Sequence, residues 1–389
     1  MRINKALLSN ISLFILFPFF FVYHFLIGLK IIPPIFGGLF GVYSLILFII
    51  IFFSNIFNVR FVKLYNLSFN FYFLVISIFL VTVYQYFFFD GNLSEKKYAL
   101  NETFSTIIMW VSVFFIGKNF KIRNDLLIKI LKASLLIFLL MLIVSILKYR
   151  SLTGLFQLFN PNIDSKNASY QQVGRSILVT ILILISSFKN SLKSISYLLL
   201  GLILLISIGS RTDFVSLFLI FIFSIYKYFI ERNKIEYKLF LFFSFFIFIS
   251  LLITFILKSR ISELFDLSTS MSWKSRNILS YKAIETISNN PFFGNYFYYV
   301  KDGGYAHNIL SSWACFGFFI FVIYIFLIFS NFIISLRYYT KLKSKEWKLA
   351  LLTSIIVLIQ GIFAVPIFSV LPALSWGFLA NAILMTNEK

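Results

Sequence analysis

An all-α polytopic membrane protein is the fold class this chain predicts, on three observations. Of its 389 residues 60% are hydrophobic and 21% aromatic, and the mean hydropathy is +0.92, well beyond the roughly half-apolar balance of a soluble domain. Apolar runs of membrane-spanning length recur from one end of the chain to the other. The basic residues behind the formal net charge of +21 sit in short polar segments between those runs, where membrane orientation places them. Nucleic acid is therefore excluded as the partner that so basic a chain would otherwise suggest.

A spanning helix needs about 20 apolar residues. By that measure runs lie near 6–29, 35–54, 68–89, 103–117, 126–147 and 174–188, then near 194–209, 213–230, 238–257, 307–335, 348–365 and 368–386. About twelve transmembrane helices are predicted in a single integral membrane domain covering 1–389. The opening MRINK resembles a secretory signal, but the run behind it is long enough to span and has no small-residue cleavage site, so it is read as the first helix. With the N-terminus cytoplasmic, the inner loops hold Arg60, Lys63, Lys118, Lys121, Arg123, Lys189, Lys193, Lys227, Arg232, Lys234, Lys238, Arg337, Lys341, Lys343, Lys345 and Lys348, which satisfies the positive-inside bias. An even number of spans returns the C-terminus to the cytoplasm.

Three polar segments then share the external face: the loop at 148–175, the turn at 209–213, and the long loop at 258–306. In the long loop Ser272 is positioned to cap a helix whose apolar residues Leu279, Ala283, Ile284 and Ile287 recur at helical spacing until Asn289, Asn290 and Pro291 stop it. That helix is predicted to lie along the outer membrane surface. Arg276 falls near its N-terminal end, where the helix dipole favours an anion.

The remaining chemistry is bounded by scarcity. One cysteine, Cys315, lies in an apolar run, so an intrachain disulfide is impossible and the thiol reads as packing. His24 and His307 are the only histidines, too few for a zinc or di-iron centre, so neither a metal nor another cofactor is expected. Ion-coupled carriers place charged groups inside their spans. Here the span interiors are nearly free of them, which weakens a transporter reading and moves the chemistry outside.

On that outer face Arg211 stands in IGSRTDF, Arg276 in the loop helix, and His307 at the start of a run. Each has a plainer role: Arg211 as a boundary anchor beside Asp213, Arg276 as a solvated charge, His307 as a structural histidine. Taken together, two arginines can grip a diphosphate through charge-assisted forked hydrogen bonds without a metal. A neutral imidazole can take a proton from an attacking hydroxyl. Arg175, in SYQQVGRSIL, is a third basic contact or a boundary anchor. Of the loop aromatics, Tyr298 and Tyr305 are the candidates for stacking on sugar rings, interfacial tyrosine belts being the alternative.

Three segments carry a resemblance: IGSRTDFVSLFLIF, SRNILSYKAIETISNNPFFGN and YAHNILSSWACFGFF. In order and spacing they resemble the superfamily of bacterial O-antigen polymerases and O-antigen ligases, over the second half of the chain. Tyr281 stands where a tryptophan is frequent in that superfamily, and Asn295 interrupts what is often glycine-x-glycine. The resemblance implies a fold similar to the membrane-embedded (GT-C type) glycosyltransferases and an enzyme that works on the outer leaflet without metal or nucleotide sugar. It implies that Arg211 and Arg276 hold the diphosphate of an undecaprenyl-diphosphate-linked oligosaccharide, that His307 activates the acceptor hydroxyl, and that transfer inverts the anomeric carbon. The phenylalanine-rich, weakly patterned composition favours the polymerase over the ligase, with a chain-length regulator protein as a further partner. The implied location is the bacterial inner membrane with the active site facing the periplasm. A transporter of lipid-linked oligosaccharide is the reading from a different class.

Overall fold

The structure, a computed structural model, describes residues 4–33, 39–56, 66–89, 91–122, 125–151, 153–159, 169–188, 191–231, 271–297, 308–363 and 367–387. Among them every regular element is helical. In order these are α1 (Lys5–Gly28), α2 (Leu39–Ile56), α3 (Asn66–Phe88), α4 (Leu93–Asn119), α5 (Asp125–Tyr149), α6 (Gly154–Leu158) and α7 (Tyr170–Ser187). There follow α8 (Ser191–Ile208), α9 (Arg211–Glu231), α10 (Met271–Asn289), α11 (Leu310–Phe316), α12 (Phe318–Leu342), α13 (Lys345–Phe363) and α14 (Leu371–Asn387).

Among the described residues six helices are long and apolar enough to cross a membrane: α1, α4, α5, α12, α13 and the part of α3 from Ser68 to Phe88. Several of them leave rows of large apolar side chains uncovered. On α12, Phe319, Val322, Phe326, Phe329 and Ile333 recur along one side, and on α5 Leu136, Leu140, Ile143 and Leu147 do the same. Water would not tolerate such contiguous apolar surface, whereas lipid tails solvate it without penalty. The chain is an all-α membrane protein.

Apart from 238–257, which lies outside the described residues, and 307–335, which falls on two helices, each predicted run overlaps one helix among the described residues. Three helices depart from the predicted runs for physical reasons. α4 begins ten residues before the run at 103–117, because Asn92 and Glu95 form a reciprocal capping box that starts the helix in polar sequence. α1 carries a π turn at Ile15–Phe19 around Pro18, whose ring and missing N–H break the regular ladder. The run at 307–335 is not one helix: Gly317 separates α11 from α12 with φ of 84°.

The chain packs as two compact units, one of Met1–Ser9, Gly41–Phe120 and Ser270–Lys389, the other of Asn10–Phe40 and Lys121–Thr269. The first is built around α14, buried continuously from Leu371 to Ala382, which runs along α4. There the two backbones touch: a Cβ on Gly117 would stand 2.7 Å from the Leu374 carbonyl, and one on Gly377 2.5 Å from that of Phe114. Helix association in lipid depends on such close approach between small residues. Asn381 tightens the crossing by donating to the carbonyls of Gly117, near the C-terminus of α4, and of Phe120, the residue that follows the helix. Phe71 stacks on Phe114 at 4.1 Å, and Trp110, Tyr324 and Trp376 continue this aromatic core. Beside it Asn331 donates to Ser375, which bonds Thr353, so these buried polar groups satisfy one another.

This unit has two distinct ends. One gathers the C-terminus of α12, the start of α13 and the end of α14, where Trp347 donates to Thr386; Lys341, Lys343 and Lys345 stand there. Lys118 closes α4 at the same end and has Lys5 as a charge neighbour. At the other end are the C-terminus of α3, the start of α4 and the loop after α10.

In the second unit α7 is the buried centre, covered from Val173 to Ser187 at all but one position, and α8 and α9 pack beside it. Gly201 of α8 receives the Ile181 side chain where a Cβ would stand.

Candidate functional site

In the second unit the sequence IGSRTDF folds as a two-residue connection. Gly209 adopts φ of 74°, its N–H reaches the Ile206 carbonyl and the Ser210 N–H reaches that of Leu205. This is a Schellman closure, which needs the left-handed conformation that glycine takes without strain. Ser210 at once caps α9: its carbonyl accepts from the Phe214 N–H at 2.9 Å, and its hydroxyl donates to Asp213 at 2.6 Å. Asp213, 2% exposed, lies at the third position of the helix, where the dipole stabilises its negative charge. Arg211 is the first residue of α9 and is half-buried.

Arg175 stands on α7 beside Gly174, and Gly174 meets that turn directly. A Cβ there would lie 2.6 Å from the Ser210 Cβ and 2.8 Å from the Asp213 carboxylate. The residue after Arg175, Ser176, donates to the Phe17 carbonyl in the π turn of α1, so the local backbone of Arg175 is held on two sides. The structure thus brings the Arg175 segment against the Arg211 turn. The second arginine was predicted at a remote point of the chain; the glycine preceding it is what permits the approach.

In the first unit Arg276 is the sixth residue of α10 and is half-buried. Helix α10 begins at Met271, so Ser272 falls within its first turn instead of preceding it, and it ends at Asn289 before Asn290 and Pro291 as the sequence predicts. Ala283 and Thr286 are buried, Leu279 and Ile287 half-buried, while Ile278, Tyr281 and Ile284 face outward. Arg276 shares the inward side with Leu279, Ala283 and Thr286 by its spacing. Ile284, predicted among the packed residues, belongs to the outer side.

The loop after α10 is tied down at every turn. Pro291 offers its carbonyl to the Phe318 N–H at 3.0 Å and to the Trp313 indole N–H at 2.9 Å. The Asn295 N–H donates to the Ala314 carbonyl at 2.8 Å. Two glycines make the fit possible. A Cβ on Gly294 (φ 66°) would stand 2.7 Å from the Ala314 carbonyl, and one on Gly317 would overlap the Phe292 carbonyl. Gly317 is the glycine that closes YAHNILSSWACFG, ten residues after His307, and its role is to let the loop cross over the break between α11 and α12.

Sequence reasoning missed two residues that hold this loop. Gln85 of α3, fully buried, donates to the Phe293 carbonyl at 2.6 Å and the Cys315 carbonyl at 2.8 Å, and accepts from the Tyr296 N–H at 3.4 Å. Glu102 of α4 accepts from the Tyr296 hydroxyl at 2.6 Å and acts on Tyr98 as a neighbouring charge. Burial, then the Glu102 carboxylate, pushes the Tyr296 phenol far above its ordinary range. Gln85 carried a signal: it is an uncharged polar residue inside an apolar run, and a search for charges alone passes over it. Tyr296 is a buried anchor of the loop, stacked on Phe368 at 5.2 Å.

His307, Tyr298 and Tyr305 lie outside the described residues. Among the described residues no three of His, Cys, Asp and Glu gather to hold a metal. The fold and these two arginine-bearing segments define the protein as a helical membrane protein with an ordered loop at one end of the first unit. No family model matches the chain, and no curated protein matches it.

Proposed function

We propose that this chain is a surface-polysaccharide polymerase of the O-antigen type, joining undecaprenyl-diphosphate-linked repeat units on the outer face of the bacterial inner membrane. The observation that carries the reading is that two of the three resembling segments are built structural devices in this chain. SRTD is a helix start, with the Ser210 hydroxyl donating to Asp213, that sets Arg211 at the first position of α9. NNPFFG is a loop locked to α11 that ends the helix bearing Arg276.

The orientation is part of the proposal. In the first unit the basic residues Lys5, Lys118, Lys341, Lys343 and Lys345 gather at the end opposite the loop. The positive-inside bias then supports a cytoplasmic basic end and a periplasmic loop. Twelve spans, both termini in the cytoplasm and the glycosyltransferase-like architecture belong to the same proposal.

In this mechanism Arg211 and Arg276, with Arg175 adjoining the first, hold the diphosphate through forked, charge-assisted hydrogen bonds. His307 accepts the proton of the acceptor sugar's hydroxyl as that oxygen bonds to the anomeric carbon. The bond from the anomeric carbon to the diphosphate oxygen breaks on the opposite face, so the configuration inverts. The arginines stabilise the negative charge that develops on the departing lipid diphosphate, and no metal enters the step.

The test is a surface-glycan gel from a strain lacking the gene, complemented by the wild type, Arg211→Ala, Arg276→Ala or His307→Ala. A ladder reduced to core plus one repeat unit, restored by the wild type alone, is expected. Long chains retained on the lipid carrier but absent from the core would make the protein the ligase. An unchanged ladder in the deletion strain would refute both, and full rescue by His307→Ala would favour a transporter.

A further inference from the structure

Tyr296 is gripped at both its ends by residues from two other helices. Its backbone N–H goes to Gln85 of α3 and its hydroxyl to Glu102 of α4. The Gln85 amide uses every polar valence it turns toward the loop: both N–H bonds reach carbonyls, one in the loop and one at the end of α11, and its oxygen accepts from the loop backbone. All three partners lie more than 200 positions along the chain, and flipping the amide would turn its oxygen against two carbonyls. A buried glutamine that served α3 alone would bond within α3. Near a lipid environment an unpaired amide or carbonyl has no water to replace its partner.

We propose that Gln85, seconded by Glu102, is the positioning residue of the outer-loop site, fixing the segment 291–297 to α11 and thereby the place where α10 and its Arg276 end. That the loop belongs to a glycosyl-transfer site rests on the functional reading above; that Gln85 fixes it does not. The chain supplies its own reporter. Cys315 is the single cysteine, it is buried, and its carbonyl is one of the two that Gln85 holds. Loosening the clamp exposes that thiol.

The experiment uses the full-length protein in proteoliposomes and two readouts on Gln85→Leu, Gln85→Asn and Glu102→Gln. The first is the rate at which N-ethylmaleimide labels Cys315 in the folded protein. The second is the kcat and KM of polymer formation from lipid-linked repeat units. Gln85→Leu should raise labelling by about tenfold or more and lower kcat by about 10- to 100-fold with little change in KM, since a misplacement of about 1 Å costs about that much. Glu102→Gln keeps an acceptor for Tyr296 and should move both readouts far less. If Gln85→Leu fails to insert, Gln85→Asn, which keeps the amide but withdraws it by one methylene, should show the same paired change.

Unchanged labelling in an inactive Gln85 variant would overturn the clamp, because the residue would then act without holding the loop. Faster labelling with wild-type kcat would overturn the positioning role. Faster labelling in a protein whose wild type makes no polymer would remove the polymerase reading and leave the clamp standing.

Discussion

Replacing Gly317 by alanine adds one methyl group at the point where the loop crosses the break between α11 and α12. Two costs can be worked out. The residue sits at φ 84° and ψ 178°, a region that only glycine adopts freely, so a side chain there costs about 1–3 kcal/mol. The added Cβ meets the Phe292 carbonyl and stands 2.6 Å from the Phe293 Cα. Both are backbone atoms that cannot rotate away, and the forced shift costs about 1–3 kcal/mol more. Together they amount to about 2–6 kcal/mol, and at about 2 °C per kcal/mol Tm should fall by about 4–12 °C. The assay is thermal unfolding in detergent followed with a fluorogenic maleimide, for which Cys315 is the only target. Because Cys315 lies two residues from the substitution, local loosening would appear as an early rise before the main transition. A Tm within about 1 °C of the wild type would refute the reasoning, since neither strain nor overlap could then be present.

Gly117→Val should lower Tm by a comparable amount, because its side chain would part α4 from α14 at a crossing where the backbones touch; thermal unfolding checks it. Arg211→Lys and Arg276→Lys should each lose most polymer formation, since a point charge does not reproduce the planar fork, and full activity in both would sink the forked grip. Above about pH 10 the unfolded chain ionises its tyrosines, while the folded Tyr296 remains a phenol because its pKa is raised. Its contribution is therefore complete below that pH and declines as pH rises beyond it. The loss of Tm between pH 9 and 11 should be smaller in Tyr296→Phe than in the wild type, about 10 being the pivot; equal slopes would show that Tyr296 ionises freely in the folded state.

The length of an apolar run is a local property, and it read well. The run boundaries near 126–147 and 348–365 match α5 and α13 within a few residues, because spanning lipid imposes a length that a sequence must display. The arginine turn was legible too, since glycine followed by serine and an acidic residue three positions on is a stop and a start in adjacent residues. Less visible was the break at Gly317. Nothing in the apolar sequence around it tells a spanning glycine from one over which another segment's carbonyl must pass.

By itself the sequence determined that the chain is helical, where most of its apolar runs lie, and that lipid is its solvent, because each depends on residues near one another in the chain. Only the tertiary structure decided that Gln85 and Glu102 close on Tyr296, that Gly174 seats the Arg211 turn, and that Gly117 faces Gly377. These are contacts across tens to hundreds of residues, and in an apolar chain a polar residue's partner depends on which backbone comes within reach, a matter of packing that no local pattern encodes.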